Sequence, residues 1–378
     1  MKITIVLGAF LPVPPIMGGA VEKVWFAFAQ EFARRGHEVV LLSRAVPEFP
    51  DREVRDGVQH IRVRGAATPR SLVQLKALDL LYSLRVRGAL PRQSDIIVTN
   101  TFWLPMLLRN ERRGKVCVHV ARFPKGQMRW YAHCARLHAP SQSVTHAIIS
   151  EAPALERKVV TIPYPRPGRL AGEVVPFRTR PRTILYVGRI HPEKGVHLLL
   201  KAFGQVPPEI AANWKLRIVG PWEARFGGGG EAYYKELQSL AEAAGDAVQM
   251  PGPVFDPRAL EQEYRDARLF VYPSLAERGE TFGVAPLEAM THGCAVLVSD
   301  LGCFHDFVAQ ERTGFFFDHR TDAPAGTLAS TLTTLLPDEE LLARVAEAGW
   351  VQSENYSLPK VAEKYLADFQ LLTENQSS

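Results

Sequence analysis

The sequence predicts an α/β protein made of two doubly wound parallel-sheet domains, and three observations carry that expectation. The chain has 378 residues, more than one ordinary core organises. Apolar runs that read as buried strands alternate with segments of helical period, the pattern of parallel sheets with helices on both faces. The alternation stops at a Pro- and Arg-rich stretch, PYPRPGRLAGEVVPFRTRPR at 163–182, and then begins again. The expected layout is an N-terminal domain over 1–165, a linker over 166–182, a second domain over 183–355 and a C-terminal helix over 356–378. Two such domains make a cleft, and ligands of these folds bind at the carboxyl ends of strands.

In the first half, KITIVLGAF reads as a buried strand. VEKVWFAFAQEFARRG follows with Val21, Val24, Trp25, Phe28 and Phe32 at helical spacing, and Gly36 can end that helix. HEVVLLS, IRVRG, DIIVTN, KVCVHV and RLHAPS are further strand candidates. In the second half the strands are TILYVG, WKLRIVG, AVQMPG, RLFVYPS and CAVLVSD, with helices such as VHLLLKAF and YYKELQSLAEAAG between them. The GGGG run at 227–230 reads as a mobile loop. LPKVAEKYLADFQLL has an amphipathic pattern and needs an apolar surface, which the N-terminal domain can supply.

Composition excludes several classes. An apolar share of 46% is ordinary for a globular chain. No run reaches membrane-spanning length. The opening MKITIVLGAFLPVP has too short an apolar run, and prolines follow it, so it does not read as a signal peptide. Cys117, Cys134, Cys294 and Cys303 lack metal-site spacing and suit reduced thiols, so the expected location is cytoplasmic. Net charge is only +5, yet residues 1–170 carry 26 Lys+Arg against 12 Asp+Glu, and the remainder carries 19 against 28. A half at +14 beside a half at −9 suggests an anionic surface or substrate. A solvated basic face or a partner protein is the plainer alternative.

The chemistry concentrates in PSLAERGETFGVAPLEAM, 273–290. Gly283 stands where a helix should start, and the free N–H groups there favour an anion. Glu280, beside it, is better suited to sugar hydroxyls or a developing cation. Glu288 lies five residues after Gly283 and can accept both hydroxyls of a ribose. A capping carboxylate and an exposed helix glutamate would also satisfy this spacing. A second strand–loop–helix unit, TILYVGRIHPEKGVHLLLKAF, places Arg189 and Lys194 in its loop, where two cations can neutralise a pyrophosphate leaving group.

VGRIHPEKG, IVGPW, GPVFDPRALEQEYRDARLFVYPS and ETFGVAPLEAMTHGCAVLVSDLG together resemble the motifs of the retaining GT-B glycosyltransferases, the group 1 family of sucrose synthases and bacterial mannosyltransferases. The likeness runs over nearly the whole chain and is most specific at 184–320. It implies two Rossmann-like domains facing a cleft. Glu280 and Glu288 correspond to the family's E-x7-E pair. By that resemblance Glu280 would hold donor-sugar hydroxyls and Glu288 the ribose. Amides around Phe282 and Gly283 would meet sugar or phosphate, Arg189 and Lys194 the diphosphate, and the turn at Pro253 and Val254 the base. PPIMGGA resembles the family's first loop, with Gly18 and Gly19 allowing close approach to phosphate or acceptor. His119, at a strand end where the family often has a His, would contact donor sugar or acceptor, with a packed core residue as the alternative. Arg122 and Lys125 are companions for an anionic acceptor, with a solvated surface as the alternative. No cofactor is implied, and the donor would be a UDP-, GDP- or ADP-sugar. The acceptor would be a sugar-containing or lipid-linked molecule, with an anionic membrane surface as a further partner and no nucleic acid.

Two departures stand out. AERGE lengthens the loop before the first glutamate. GCFHD at 302–306 replaces the family's GG-x-x-E, leaving Asp306 in the glutamate's place with a shorter reach. No Asp-x-Asp metal motif is present, so the resemblance implies a metal-independent reaction. A nicotinamide-dependent oxidoreductase is disfavoured because no G-x-G-x-x-G follows a strand. A sugar-nucleotide-binding protein without catalysis is the other rival.

Overall fold

The computed structural model describes residues 1–69, 71–109, 111–169 and 174–374. The chain divides into two compact units, Met1–Pro165 with Leu358–Ser378, and Arg166–Ser357. The reading of 166–182 as a linker includes residues 170–173, and the reading of a terminal helix includes 375–378; both stretches lie outside the described residues.

Unit 1 runs β1 (Lys2–Val6), α1 (Ala20–Arg34), β2 (Glu38–Arg44), β3 (Arg52–Arg55), β4 (Val58–Val63), α2 (Leu72–Ala89), β5 (Ile96–Thr99), a one-turn α3 (Leu104–Leu107), β6 (Lys115–His119), β7 (Arg136–Ala139), α4 (Gln142–Glu151) and β8 (Val159–Thr161). Its sheet has the order β3-β4-β2-β1-β5-β6-β7-β8. Every pair is parallel except β3 with β4. The central strands are apolar on both faces because helices cover both. The order reverses direction between β1 and β5, so the loops that follow these strands diverge there.

Unit 2 runs β9 (Thr183–Val187), α5 (Val196–Phe203), a one-turn α6 (Pro208–Ala211), β10 (Lys215–Val219), α7 (Glu231–Ala243), β11 (Val248–Gly252), α8 (Pro257–Arg265), β12 (Leu269–Tyr272), α9 (Val284–Thr291), β13 (Ala295–Ser299), β14 (Phe315–Phe317), α10 (Pro324–Leu335) and α11 (Glu339–Ser353). The sheet order is β11-β10-β9-β12-β13-β14, all parallel. Its reversal lies between β9 and β12, and the loops after those two strands carry Lys194 and Glu280.

The last helix, α12 (Leu358–Glu374), belongs to unit 1. Val361, Tyr365 and Phe369 recur every four residues and form one buried stripe. Tyr365 meets Trp25 and Phe28 of α1 at ring-centroid distances of 5.1 and 5.0 Å, and Phe369 meets Phe32 at 6.1 Å. Asp368 on the same helix accepts from Arg136 Nε at 2.9 Å and His138 Nε2 at 2.8 Å. Burial alone would raise its pKa, but these two donors outweigh burial and hold the carboxyl below its usual range.

Three strands were not evident in the sequence: β3, β8 and β14. They are four residues or fewer and lie at sheet edges. For β3 a signal existed, since Asp56-Gly57 takes the positive φ values of 50° and 76° that a tight hairpin requires. The GGGG run is not the loose loop expected from its composition. Gly228 N–H donates to Glu223 O at 3.0 Å, Gly229 N–H to Ile190 O at 2.8 Å and Gly230 N–H to Trp222 O at 2.9 Å. Residues 174–182 belong to unit 2, and within them Arg180 is buried with Nη2 donating to His292 O at 2.7 Å.

Candidate active site

In unit 2 the site is assembled from the loops at the sheet's reversal point. After β9 the chain makes a single 3-10 turn, Pro192–Lys194, opened by His191, whose Nδ1 accepts from Glu193 N–H at 3.3 Å. Lys194 is directed inward by this turn and its side chain is only 7% exposed. After β12, Leu275 N–H donates to Glu193 O at 2.8 Å, which fixes the second loop against the first. Glu280 then meets Lys194 Nζ at 2.6 Å and accepts from Ser274 Oγ at 3.1 Å through the same oxygen, Oε2. A buried ammonium and a nearly buried carboxylate therefore neutralise each other at the carboxyl ends of β9 and β12. A buried unpaired charge would be far more costly.

Gly283 caps α9 with φ 94°. A Cβ there would overlap the Phe304 ring, so the position requires glycine on both backbone and steric grounds. The Phe282 side chain is buried against Phe307 and Tyr356 at 5.4 and 6.0 Å, which leaves only its backbone for a ligand. Glu288 is half-buried on α9, and the Tyr264 hydroxyl donates to its Oε2 at 3.1 Å. It is not the exposed helix glutamate that the spacing also allowed. Pro253 and Val254 are half-buried in the turn leaving β11.

Arg189 differs from Lys194. Its side chain is 44% exposed, with Nη2 on Glu193 Oε1 at 3.0 Å and Nη1 on Gly227 O at 2.7 Å. The structure thus brings Lys194 to Glu280 and leaves Arg189 tied to the glycine run. Asp306 is half-buried in a short 3-10 turn, and its backbone carbonyl accepts from the Tyr356 hydroxyl at 2.6 Å.

In unit 1, Gly18 and Gly19 have φ 82° and 94°, and Gly19 is the N-cap of α1. A Cβ on Gly19 would collide with the Glu22 carboxylate, which folds back over the loop. Burial raises the Glu22 carboxyl, partly offset by its own amide and by the charge of Arg122. His119 ends β6, but its ring is 2% exposed, 5.4 Å from the Trp25 ring, with Nε2 at 3.0 Å from the Tyr164 hydroxyl. Burial drives its pKa down to about 3, so it is a neutral, packed ring. Arg122 and Lys125 are exposed in the loop after β6.

The partners that sequence reasoning missed are Ser274, Tyr264, Tyr164 and Glu22. Ser274 sits in the quoted motif, and Tyr264 lies on the buried stripe of α8 with Glu261, so helical spacing marked it as inward-facing. Among the described residues, no group of three His, Cys, Asp or Glu side chains is gathered to hold a metal ion.

The profile of the glycosyl transferases group 1 matches residues 172–350, the unit that carries this cluster, and that of Glycosyltransferase Family 4 matches 17–165. The chain belongs to the group 1 glycosyltransferases. A lipopolysaccharide 1,2-N-acetylglucosaminetransferase of Salmonella typhimurium is 32% identical over 183 residues, 48% of this glycosyltransferase and 46% of that protein. The match thus spans about half of each chain. A sucrose-phosphate synthase of Thermosynechococcus elongatus superposes with a TM-score of 0.78 at 19% identity, over 99% of this chain and 100% of that one. HepE of Anabaena, solved in complex with UDP-glucose, superposes with a TM-score of 0.67 at 18% identity over 100% of both chains. These structures share the GT-B fold with this glycosyltransferase.

Proposed function

We propose that this glycosyltransferase moves a sugar from a nucleotide-diphosphate sugar to an acceptor held mainly by unit 1, with retention of anomeric configuration and without a metal ion. The observation that carries the reading is the Lys194–Glu280–Ser274 cluster beside the glycine-initiated start of α9. A donor entering there exchanges the Lys194–Glu280 contact for two others. The ammonium turns to the diphosphate, and the carboxylate accepts hydroxyls of the sugar. Arg189 and the first amides of α9 add positive potential where the leaving group gains charge. Glu288, oriented by Tyr264, accepts the ribose hydroxyls. Pro253 and Val254 offer backbone atoms to the base, and the UDP-glucose complex of the Anabaena protein favours uridine.

Retention then follows from an acceptor hydroxyl attacking on the face from which the diphosphate departs. No enzyme nucleophile is needed, and the protein's work is positioning and leaving-group stabilisation. Gly18, Gly19, Arg122 and Lys125 are the unit 1 groups assigned to the acceptor. His119 is assigned to packing, because its neutral ring is engaged by Tyr164 and Trp25.

The test is a thermal-shift screen with UDP, GDP and ADP and their hexose conjugates, since a ligand of the native state raises the melting point by mass action. One nucleotide series should stabilise the protein and the others should not. Absence of any shift would reject the donor site. Turnover should continue in EDTA; abolition with recovery on adding magnesium or manganese would reject the charge assignment to Lys194 and Arg189.

A further inference from the structure

The lengthened turn before Glu280 is held by its own clamp. Glu277 Oε1 accepts from His319 Nε2 at 2.9 Å and from Arg320 Nε at 2.9 Å. Arg320 Nη1 continues to Asp300 Oδ2 at 3.3 Å, and the other Asp300 oxygen is 2.6 Å from His305 Nε2. His305 in turn stacks on Phe316 at 4.3 Å. Phe316 lies on β14 itself, and the other residues come from the loops after β12, β13 and β14, three strands adjacent in the sheet, so the clamp joins loops that lie side by side.

The clamp is connected to Glu280 through the backbone. Gly279 N–H and Glu280 N–H both donate to Ala276 O, at 3.0 and 2.9 Å, and Glu277 N–H closes on Leu275 O at 3.0 Å. Residues 275–280 thus form one hydrogen-bonded turn with Glu277 on its outer side and Glu280 on its inner side. An exposed ion pair alone contributes little. This one differs because the His319 side chain is only 4% exposed while Glu277 is 52% exposed. A fixed, buried partner holds a carboxylate that would otherwise move in solvent, and three loops share the network. The two donors also keep the Glu277 carboxyl below its usual range, against the effect of burial.

We infer that Glu277, His319 and Arg320 are positioning residues that clamp the 275–280 turn so that the Glu280 carboxylate faces Lys194 and the donor sugar. This rests on the donor-site reading above. The turn's extra length would otherwise let Glu280 swing away from the sugar, and the clamp removes that freedom before the donor arrives.

The experiment uses the full chain and the variants E277A, R320A, E277Q and E280Q. Amide hydrogen exchange should quicken by about tenfold over residues 276–283 in E277A and R320A, with β9 and β13 unchanged. E277Q, which keeps an acceptor for His319, should stay near wild type. In parallel, calorimetry with UDP and UDP-glucose separates nucleotide affinity from the added effect of the hexose. E277A should leave UDP affinity unchanged and reduce the UDP-glucose affinity relative to UDP by about tenfold, the value of a weakened charged hydrogen bond. Unchanged exchange in both E277A and R320A overturns the clamp. If E280Q shifts the UDP-glucose affinity and E277A does not, the positioning role alone falls. If neither variant shifts it, the donor-site reading falls, and the positioning role with it.

Discussion

Lys194 and Arg189 occupy one loop, yet burial separates them. Lys194 is enclosed and held at 2.6 Å from Glu280, while Arg189 sits in a more exposed pair with Glu193. Replacing Lys194 with alanine should lower turnover roughly 10²–10³-fold, the typical loss of one preorganised stabiliser of transition-state charge. Arg189→Ala should have a smaller effect, because solvent screens the guanidinium. Steady-state kinetics of both variants decides this, and activity of Lys194→Ala within a few fold of wild type would reject the diphosphate role. Glu288→Ala should weaken bare nucleotide by about 1.5–3 kcal/mol, the value of a hydrogen bond to a charged acceptor; calorimetry showing wild-type affinity would make Glu288 structural. The E-x7-E spacing marked both carboxylates in the sequence. Their hydrogen-bond partners, Ser274 and Tyr264, became evident only in three dimensions.

At the scale of elements, α12 shows how local pattern and distant packing divide the work. Its buried stripe of Val361, Tyr365 and Phe369 was legible as helical spacing. That it packs on unit 1 matches the expectation, but its particular partners were not legible, since Arg136 and His138 reach Asp368 across 232 and 230 residues of sequence. Phe369→Ala should destabilise unit 1 by about 3–5 kcal/mol through loss of apolar burial and a residual cavity. Chemical denaturation checks it, and an unchanged midpoint would mean that α12 adds nothing to the unit 1 core. The short edge strands β3, β8 and β14 escaped the reading for the opposite reason. A strand of three or four residues shows too little alternation to be distinguished from a loop.

Across the whole molecule, buried neutral histidines set the response to acid. Burial lowers His60 to about 4, aided by the charge of Arg62, and lowers His292 to about 4 against the opposing charge of Glu261. The unfolded chain binds these protons at the ordinary histidine value of about 6.5, so between that pH and about 4 it holds more protons than the folded chain. Stability therefore falls as pH drops through this window, by up to about 1.4 kcal/mol per pH unit for each such histidine. Melting temperatures at pH 7.5 and pH 5 should differ accordingly, and equal values would contradict the buried, neutral assignment. The charge asymmetry, +14 over residues 1–170 against −9 over the rest, also belongs to this scale. Among the described residues, no helix is long and apolar enough to cross a membrane. If the basic half meets anionic lipid, vesicles rich in acidic phospholipid should sediment the protein at low salt and release it at high salt, each nearby cation contributing about 1 kcal/mol. Equal, negligible binding to neutral and anionic vesicles would assign the basic half to a soluble anionic acceptor instead.

The sequence by itself determined the fold class, the two-unit organisation of parallel sheets and the spacing of the two carboxylates at 280 and 288. Each of these is written locally: buried strands and amphipathic helices show within about ten residues, and the E-x7-E pair lies on one loop and the helix it starts. Tertiary structure decided what those residues do with one another. It took Lys194 to Glu280 across 86 positions, enclosed His119 against Tyr164 across 45, and joined Glu277 to His319 across 42. A side chain's burial, and hence its charge state and freedom to meet a ligand, depends on neighbours supplied by other loops, and no local spacing specifies them.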